Sequence, residues 1–154
     1  MLGMEKSPFA VVIKAASEEA GLRGDRRIGT EHLLLGLLRD PGSETARALG
    51  VGLAAARAAL DELDHAALRA LGIDVADRPR PAPRRPRPVS ATALSTSARA
   101  AVNTAIKTTT RKTRPTAAPG RLLLALLDQG ASDPVTPLID QLGLDRTAVR
   151  DRIA

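Results

Sequence analysis

Gly29-Thr30-Glu31-His32-Leu33-Leu34-Leu35-Gly36-Leu37-Leu38 is the stretch whose reading decides the fold, because five leucines fall in six consecutive positions. In a helix, Leu33, Leu34, Leu37 and Leu38 share one face and Leu35 points elsewhere. A helix that is apolar nearly all round is one enclosed by other helices. Thr30 is placed to cap it, with its side-chain oxygen accepting from a free backbone N–H. Glu31 and His32 then occupy the first turn, where a carboxylate is favoured by the positive helix end. Gly36 costs about 1 kcal/mol of helix propensity relative to Ala, a cost that makes sense if it admits a neighbouring helix.

The pattern returns in Ala118-Pro119-Gly120-Arg121-Leu122-Leu123-Leu124-Ala125-Leu126-Leu127, which keeps every leucine and puts Ala125 where Gly36 stood. The polar head does not return: Pro119, Gly120 and Arg121 replace Thr30, Glu31 and His32.

Around the first leucine stretch, residues 5–20 read as a helix with Phe9, Val12, Ile13, Ala16 and Ala20 on one face. Residues 21–29 read as a polar connection. Asp40-Pro41-Gly42 is a turn signal. Ser43 caps a short helix ended by Gly50, and a helix over 53–71 carries Leu53, Leu60, Leu63, Ala67 and Leu71 on a stripe ended by Gly72. Around the second stretch, Leu94, Ala98, Val102 and Ala105 form a matching stripe, and residues 108–119 read as a basic, Thr-rich connection. Asp133-Pro134 begins a further helix, Leu142-Gly143 echoes Leu49-Gly50, and Asp145 caps a last helix through Ile153. A repeat of this length is a supersecondary unit that buries its apolar face against a second copy. The expectation is an all-α fold of two pseudo-symmetric four-helix units, 1–76 and 91–154, packed into one domain.

Between them, Asp-Arg-Pro-Arg-Pro-Ala-Pro-Arg-Arg-Pro-Arg-Pro at 77–88 is incompatible with a helix, since proline removes donors and restricts its predecessors. We assign 77–90 as an extended linker. Arg78, Arg80, Arg84, Arg85 and Arg87 against Asp77 give it +4 of the chain's net +6. It reads either as a solvated spacer or as a patch for phosphate or an acidic partner, with nucleic acid attracted without sequence preference.

Phe9 is the only aromatic residue, so base stacking and aromatic cages have no basis in this chain. There are no cysteines, which excludes disulfides and thiolate metal sites and fits the expected cytoplasmic location. No apolar run approaches the roughly 20 residues that span a bilayer, and the N-terminus does not read as a signal peptide. No phosphate-loop motif is present. His32 and His65, the two histidines, have no metal-ligand spacing, and the serines have no matched His–Asp partners. The chain reads as a non-enzyme without cofactor or metal.

Gly-Thr-Glu-His-Leu-Leu-Leu-Gly-Leu-Leu, with Ala-Ser-Glu-Glu-Ala upstream and Ala-Leu-Gly-Val downstream, resembles the Clp N-terminal repeat. The double pattern resembles the whole N-terminal domain of bacterial Clp unfoldases of the ClpC and ClpA type. The resemblance implies about eight helices and a domain that receives substrates and adaptors for a protease. Without an accompanying ATPase motif, the chain looks like a stand-alone N-domain. Three features depart from the family: Phe9 is displaced from the usual start of the repeat, the second copy lacks the Thr-Glu-His head, and the linker is longer and more basic. The resemblance implies a binding module that regulates or supplements Clp-dependent proteolysis, with a decoy as one version. Its partners would be Clp components, adaptors or substrate proteins, and nucleic acid is the runner-up through the linker.

Thr30, Glu31 and His32 are the candidate ligand-binding residues. Helix capping is the alternative account of the same residues. In relatives from Gram-positive bacteria the glutamate of this motif contributes to pockets for phosphorylated arginine. A carboxylate pairs with guanidinium in a bidentate fork, and N–H groups at a helix start hold phosphate. The carry-over reaches Glu31 and stops at Gly120, which has no carboxylate.

The linker reading is checked by limited trypsin digestion. Bonds before proline resist the protease, so the first cut is expected after Arg84, with the two halves staying associated. Halves that part in native buffer would contradict a shared core.

Overall fold

Ser7-Pro8 opens the first helix of the computed structural model, which describes residues 7–73, 83 and 93–153. Proline is at home in a first helical turn, where its missing N–H costs nothing. Eight helices follow among the described residues: α1 (Pro8–Arg23), α2 (Thr30–Leu37), α3 (Glu44–Leu49), α4 (Leu53–Ala70), α5 (Thr96–Lys107), α6 (Arg114–Leu127), α7 (Val135–Gln141) and α8 (Arg146–Ile153). The fold is all-α. The only β pairing described is a single parallel bridge between Ile28 and Leu94.

α2 and α6 lie at the centre. Leu33, Leu34 and Leu35 of α2 and Leu122 and Leu123 of α6 are wholly buried. α2 touches α1, α4, α5, α6 and α7, and α6 touches α1, α2, α3, α5 and α8. Exchanging α1–α4 with α5–α8 maps every principal helix pairing onto another: α1·α2 onto α5·α6, α1·α6 onto α2·α5, α3·α8 onto α4·α7, α2·α7 onto α3·α6 and α2·α4 onto α6·α8, with α2·α6 on the axis. One contiguous core runs through both halves.

At Gly36 the backbone of α1 passes close to α2. A Cβ there would lie 2.8 Å from the Val12 carbonyl oxygen and 3.1 Å from the Ala16 nitrogen. Both obstacles are backbone of α1, which cannot swing aside.

Short polar signals set the helix ends. Ser43 Oγ accepts from Ala46 N–H at 3.1 Å, and Ser95 Oγ from Ala98 N–H at 3.1 Å. Asp145 Oδ1 accepts from Thr147 N–H at 3.0 Å. Gly50 and Gly143, with φ of 70° and 67°, close α3 and α7 in the left-handed region that glycine enters without strain.

Four local expectations need correction. α1 continues through residues 21–23 and stops at Gly24, whose φ of 78° supplies the left-handed exit. Gly29, not Thr30, is the N-cap of α2, because Thr30 is already helical. α6 begins at Arg114, so Pro119 lies inside the helix and not in a connection. Of the α4 stripe Leu60 is buried and Leu53 and Leu63 are half-buried against the core, but Ala67 is exposed and Leu71 is 76% exposed; Ala56 and Ala59 are the other buried residues of the helix. The linker at 77–90, apart from Pro83, lies outside the described residues.

Truncating Leu34 or Leu123 to Ala is expected to cost about 2–5 kcal/mol each in chemical denaturation. Gly36→Ala is expected to destabilise as well, since overpacking costs about 1–3 kcal/mol against the ~1 kcal/mol gained in helix propensity. A Gly36→Ala protein more stable than the parent would refute the close approach.

Candidate functional site

The chain enters α2 extended. Ile28 N–H donates to the Ala93 carbonyl at 2.8 Å, and Ser95 N–H to the Ile28 carbonyl at 2.9 Å. This holds the residues before α2 straight, so the helix can begin only after Gly29.

Thr30, first in the helix, is wholly buried. Its hydroxyl donates to Asp133 Oδ1, in the turn before α7. The same Asp133 oxygen accepts from Val135 N–H at 3.2 Å, so this carboxylate starts α7 and ties it to α2. His32 is also buried. Its Nδ1 accepts from Gly29 N–H at 2.9 Å, which places the ring proton on Nε2, 2.8 Å from Asp25 Oδ2. The capping expected of Thr30 is not made, its hydroxyl going to Asp133 instead, while His32 reaches back from the third helical position to the N-cap N–H, as a Glu or Gln does in a capping box.

Glu31 is the one member of the trio turned partly outward, with 18% of its side chain exposed. Its Oε1 and Asp133 Oδ2 are the buried side-chain oxygens that have no hydrogen-bond partner among the described residues. Oε1 folds over Gly29, where a Cβ would lie 1.8 Å from it, so any residue but glycine would displace the carboxylate. Burial pushes the Glu31 pKa up. His32 and the residue's own N–H oppose that, Asp25 and Asp133 reinforce it, and the net shift is upward. For Asp25, burial also acts upward, but the His32 ring and the Arg23 guanidinium more than offset it and its pKa is lowered.

Sequence reasoning brought Thr30, Glu31 and His32 together but missed Asp25 and Asp133, which complete the cluster. The five linker arginines, Arg78, Arg80, Arg84, Arg85 and Arg87, lie outside the described residues. A second buried polar group was also missed. Glu19, 1% exposed, accepts from Arg57 Nε at 2.8 Å and Nη2 at 2.7 Å, and from Arg39 Nη1 at 2.9 Å. Burial pushes its pKa up, but the bond and charge of Arg57, then those of Arg39, prevail and it is lowered. The signal was a carboxylate in register with Val12 and Ala16 on the apolar face of α1.

Among the described residues no His, Asp and Glu group is arranged to hold a metal ion, and no helix is long and apolar enough to cross a membrane. A cavity of about 550 Å3 opens on the other side of the pseudo-symmetry, where Pro119, Gly120 and Arg121 of α6 face Ser43, Glu44 and Thr45 at the start of α3.

The Glu31 and Glu19 carboxyls respond to pH with opposite sign. The raised pKa of Glu31 means that its ionised form is disfavoured in the folded protein. Its contribution is fully present below the unfolded carboxyl pKa and is lost as pH rises through the folded value. Glu31→Gln is therefore expected to raise the melting temperature near pH 7, with the gain vanishing in acid. Glu19 has a lowered pKa, so its contribution is present above the unfolded value and lost as pH falls through the folded one. Glu19→Gln is expected to cost about 1–2 kcal/mol at pH 7, a figure kept low because Arg57 and Arg39 are part-exposed and re-hydrate. Melting curves of both variants at pH 7 and near pH 3 check the signs.

No curated protein matches the chain. The family described as Clp repeat (R) N-terminal domain matches residues 6–80, a span that includes α1 to α4 and the whole Thr30–Leu38 stretch. Domains of this kind bind substrates and adaptors and are not catalytic. Residues 6–80 thus carry the Clp repeat N-terminal domain, a Clp-related protein-interaction module.

Proposed function

We propose that this protein is a non-catalytic receptor for peptides, adaptors or substrate proteins that regulates or supplements Clp-dependent proteolysis in the cytoplasm. In its decoy form it captures ligands otherwise taken by the N-terminal domain of a Clp ATPase. The observation that carries this reading is the family match over residues 6–80.

The proposal includes the division into a first repeat at 1–76, a linker at 77–90 and a second, degenerate repeat at 91–154. The leucine register and the exchange symmetry of the helix pairings support that division. It also makes the start of α2 a ligand site in which Glu31 meets the ligand while Thr30 and His32 position it. The support for Glu31 is its partial exposure and its Oε1, which has no hydrogen-bond partner among the described residues and lies 3.4 Å from His32 Nδ1. Phosphoarginine is the ligand to test first, and one site is expected, since Gly120 offers no carboxylate.

Calorimetric titration of a phosphoarginine peptide into the parent protein and Glu31→Ala tests the site. The substitution removes a charge-assisted contact of roughly 1.5–3 kcal/mol, and binding is expected to weaken about tenfold or more. Two equal sites, or affinity indifferent to Glu31, would remove Glu31 from the ligand site. A cytoplasmic pull-down tests the wider reading: recovery of Clp subunits or substrates supports it. Salt-sensitive recovery of nucleic acid would favour the basic linker as the functional element instead.

A further inference from the structure

The cavity between α3, α6 and α8 has apolar walls at Pro119, Leu124 and Ile153 and two charged residues, Arg121 and Glu44. Gly120 keeps it open, since a Cβ there would lie 3.1 Å from Ile153 Cγ2 and project toward α8. Arg121 and Leu124 lie three residues apart on one face of α6, so the guanidinium and the apolar wall belong to the same surface. Both charged residues are exposed. Neither has a hydrogen-bond or ion-pair partner among the described residues, and their charged ends stand farther apart than the 4.0 Å of an ion pair.

Opposite charges that bound one apolar cavity without pairing are complementary to a zwitterion with an aliphatic body. The guanidinium takes a carboxylate in a bidentate fork, Glu44 takes an ammonium group, and aliphatic side chains cover Leu124 and Ile153. Were it spherical, a cavity of about 550 Å3 would be roughly 10 Å across, the length of about three extended residues. A single amino acid carries its two charges one carbon apart and fills only a part of a cavity this wide. We propose that this cavity binds a short aliphatic peptide, about three residues long, with both ends free. The inference is independent of the Glu31 site, which lies at the start of α2.

The test is calorimetry with trileucine, N-acetyl-trileucine, trileucine amide and leucine. Trileucine is expected to bind, and each blocked form to bind about tenfold more weakly. Arg121→Gln should abolish the preference for a free C-terminus and leave the preference for a free N-terminus; Glu44→Gln should do the reverse. Both residues are exposed, and an unchanged melting temperature confirms that each variant folds. Glu31→Ala should bind trileucine like the parent, so failure here and failure of the phosphoarginine site are separable. The proposal is overturned by no saturable heat at millimolar trileucine, by equal binding of free and blocked peptides, by leucine binding as tightly as trileucine, or by variants that keep both preferences.

Discussion

Two helices in this protein, α2 and α6, must bury leucine on every side, and that requirement fixes where everything else goes. A helix with one apolar stripe is satisfied by a single neighbour, whereas one that is apolar nearly all round has to be surrounded. Each half supplies too few helices to enclose its own leucine helix. α2 therefore borrows α5 and α7 from the second half, and α6 borrows α1 and α3 from the first. The halves cannot be peeled apart without exposing Leu33, Leu34, Leu122 and Leu123. The close approach at Gly36 belongs to the same requirement, because a short helix that needs many neighbours has to let one of them in at backbone distance.

This logic explains which features were legible in the sequence. Leucine spacing, the Ser43 and Asp145 caps and the glycine exits at Gly50 and Gly143 depend on residues within a turn of each other, and the sequence displays them directly. Asp133 and Glu19 were not legible, because their partners lie 103 residues away in Thr30 and 38 away in Arg57. A lone carboxylate on an apolar face signals that some partner exists without saying which. Residues 21–23 were misread for a related reason. Gly21 is buried within α1 and reads as a stop only while its packing is unknown. Arg23, just beyond, is held by Asp25, Asp61 and Asp64, two of them on α4. Those ion pairs secure the last turn of α1 against α4, a tertiary contact that local propensity does not report. The far end of α4 failed in the opposite direction: Ala67 and Leu71 continue the apolar period past the last helix that covers it.

The two leucine helices begin differently, and the difference is physical before it is functional. Before α2, the bridge from Ile28 to Leu94 keeps the backbone extended until Gly29, so the helix starts late. Its first turn is then stitched to Asp133 and Asp25 through Thr30 and His32. Before α6 the chain turns instead: Thr110 N–H donates to Thr113 Oγ1 at 2.9 Å, and Thr113 N–H to Thr110 Oγ1 at 3.1 Å. That turn launches the helix at Arg114, where Pro115 is welcome, and carries it through Pro119, where a proline is normally costly because it has no N–H for the Pro115 carbonyl and its ring crowds that oxygen.

The consequence is a carboxylate lost where Gly120 stands for Glu31, and a guanidinium gained one residue on, where Arg121 stands for His32. Where the first half folds Glu31 over Gly29 and surrounds it with Asp25, Asp133 and a histidine ring, the second half lines a cavity with Gly120 and Arg121. A carboxylate crowded by other carboxylates is selective for cationic groups and resists ionisation. An unpaired guanidinium on an apolar wall is selective for anions and has no comparable desolvation cost. A pseudo-two-fold axis relates the helices without relating their chemistry, since the leucines that build the axis are buried and the residues that diverge sit one turn upstream of them. The same core therefore presents two non-equivalent surfaces.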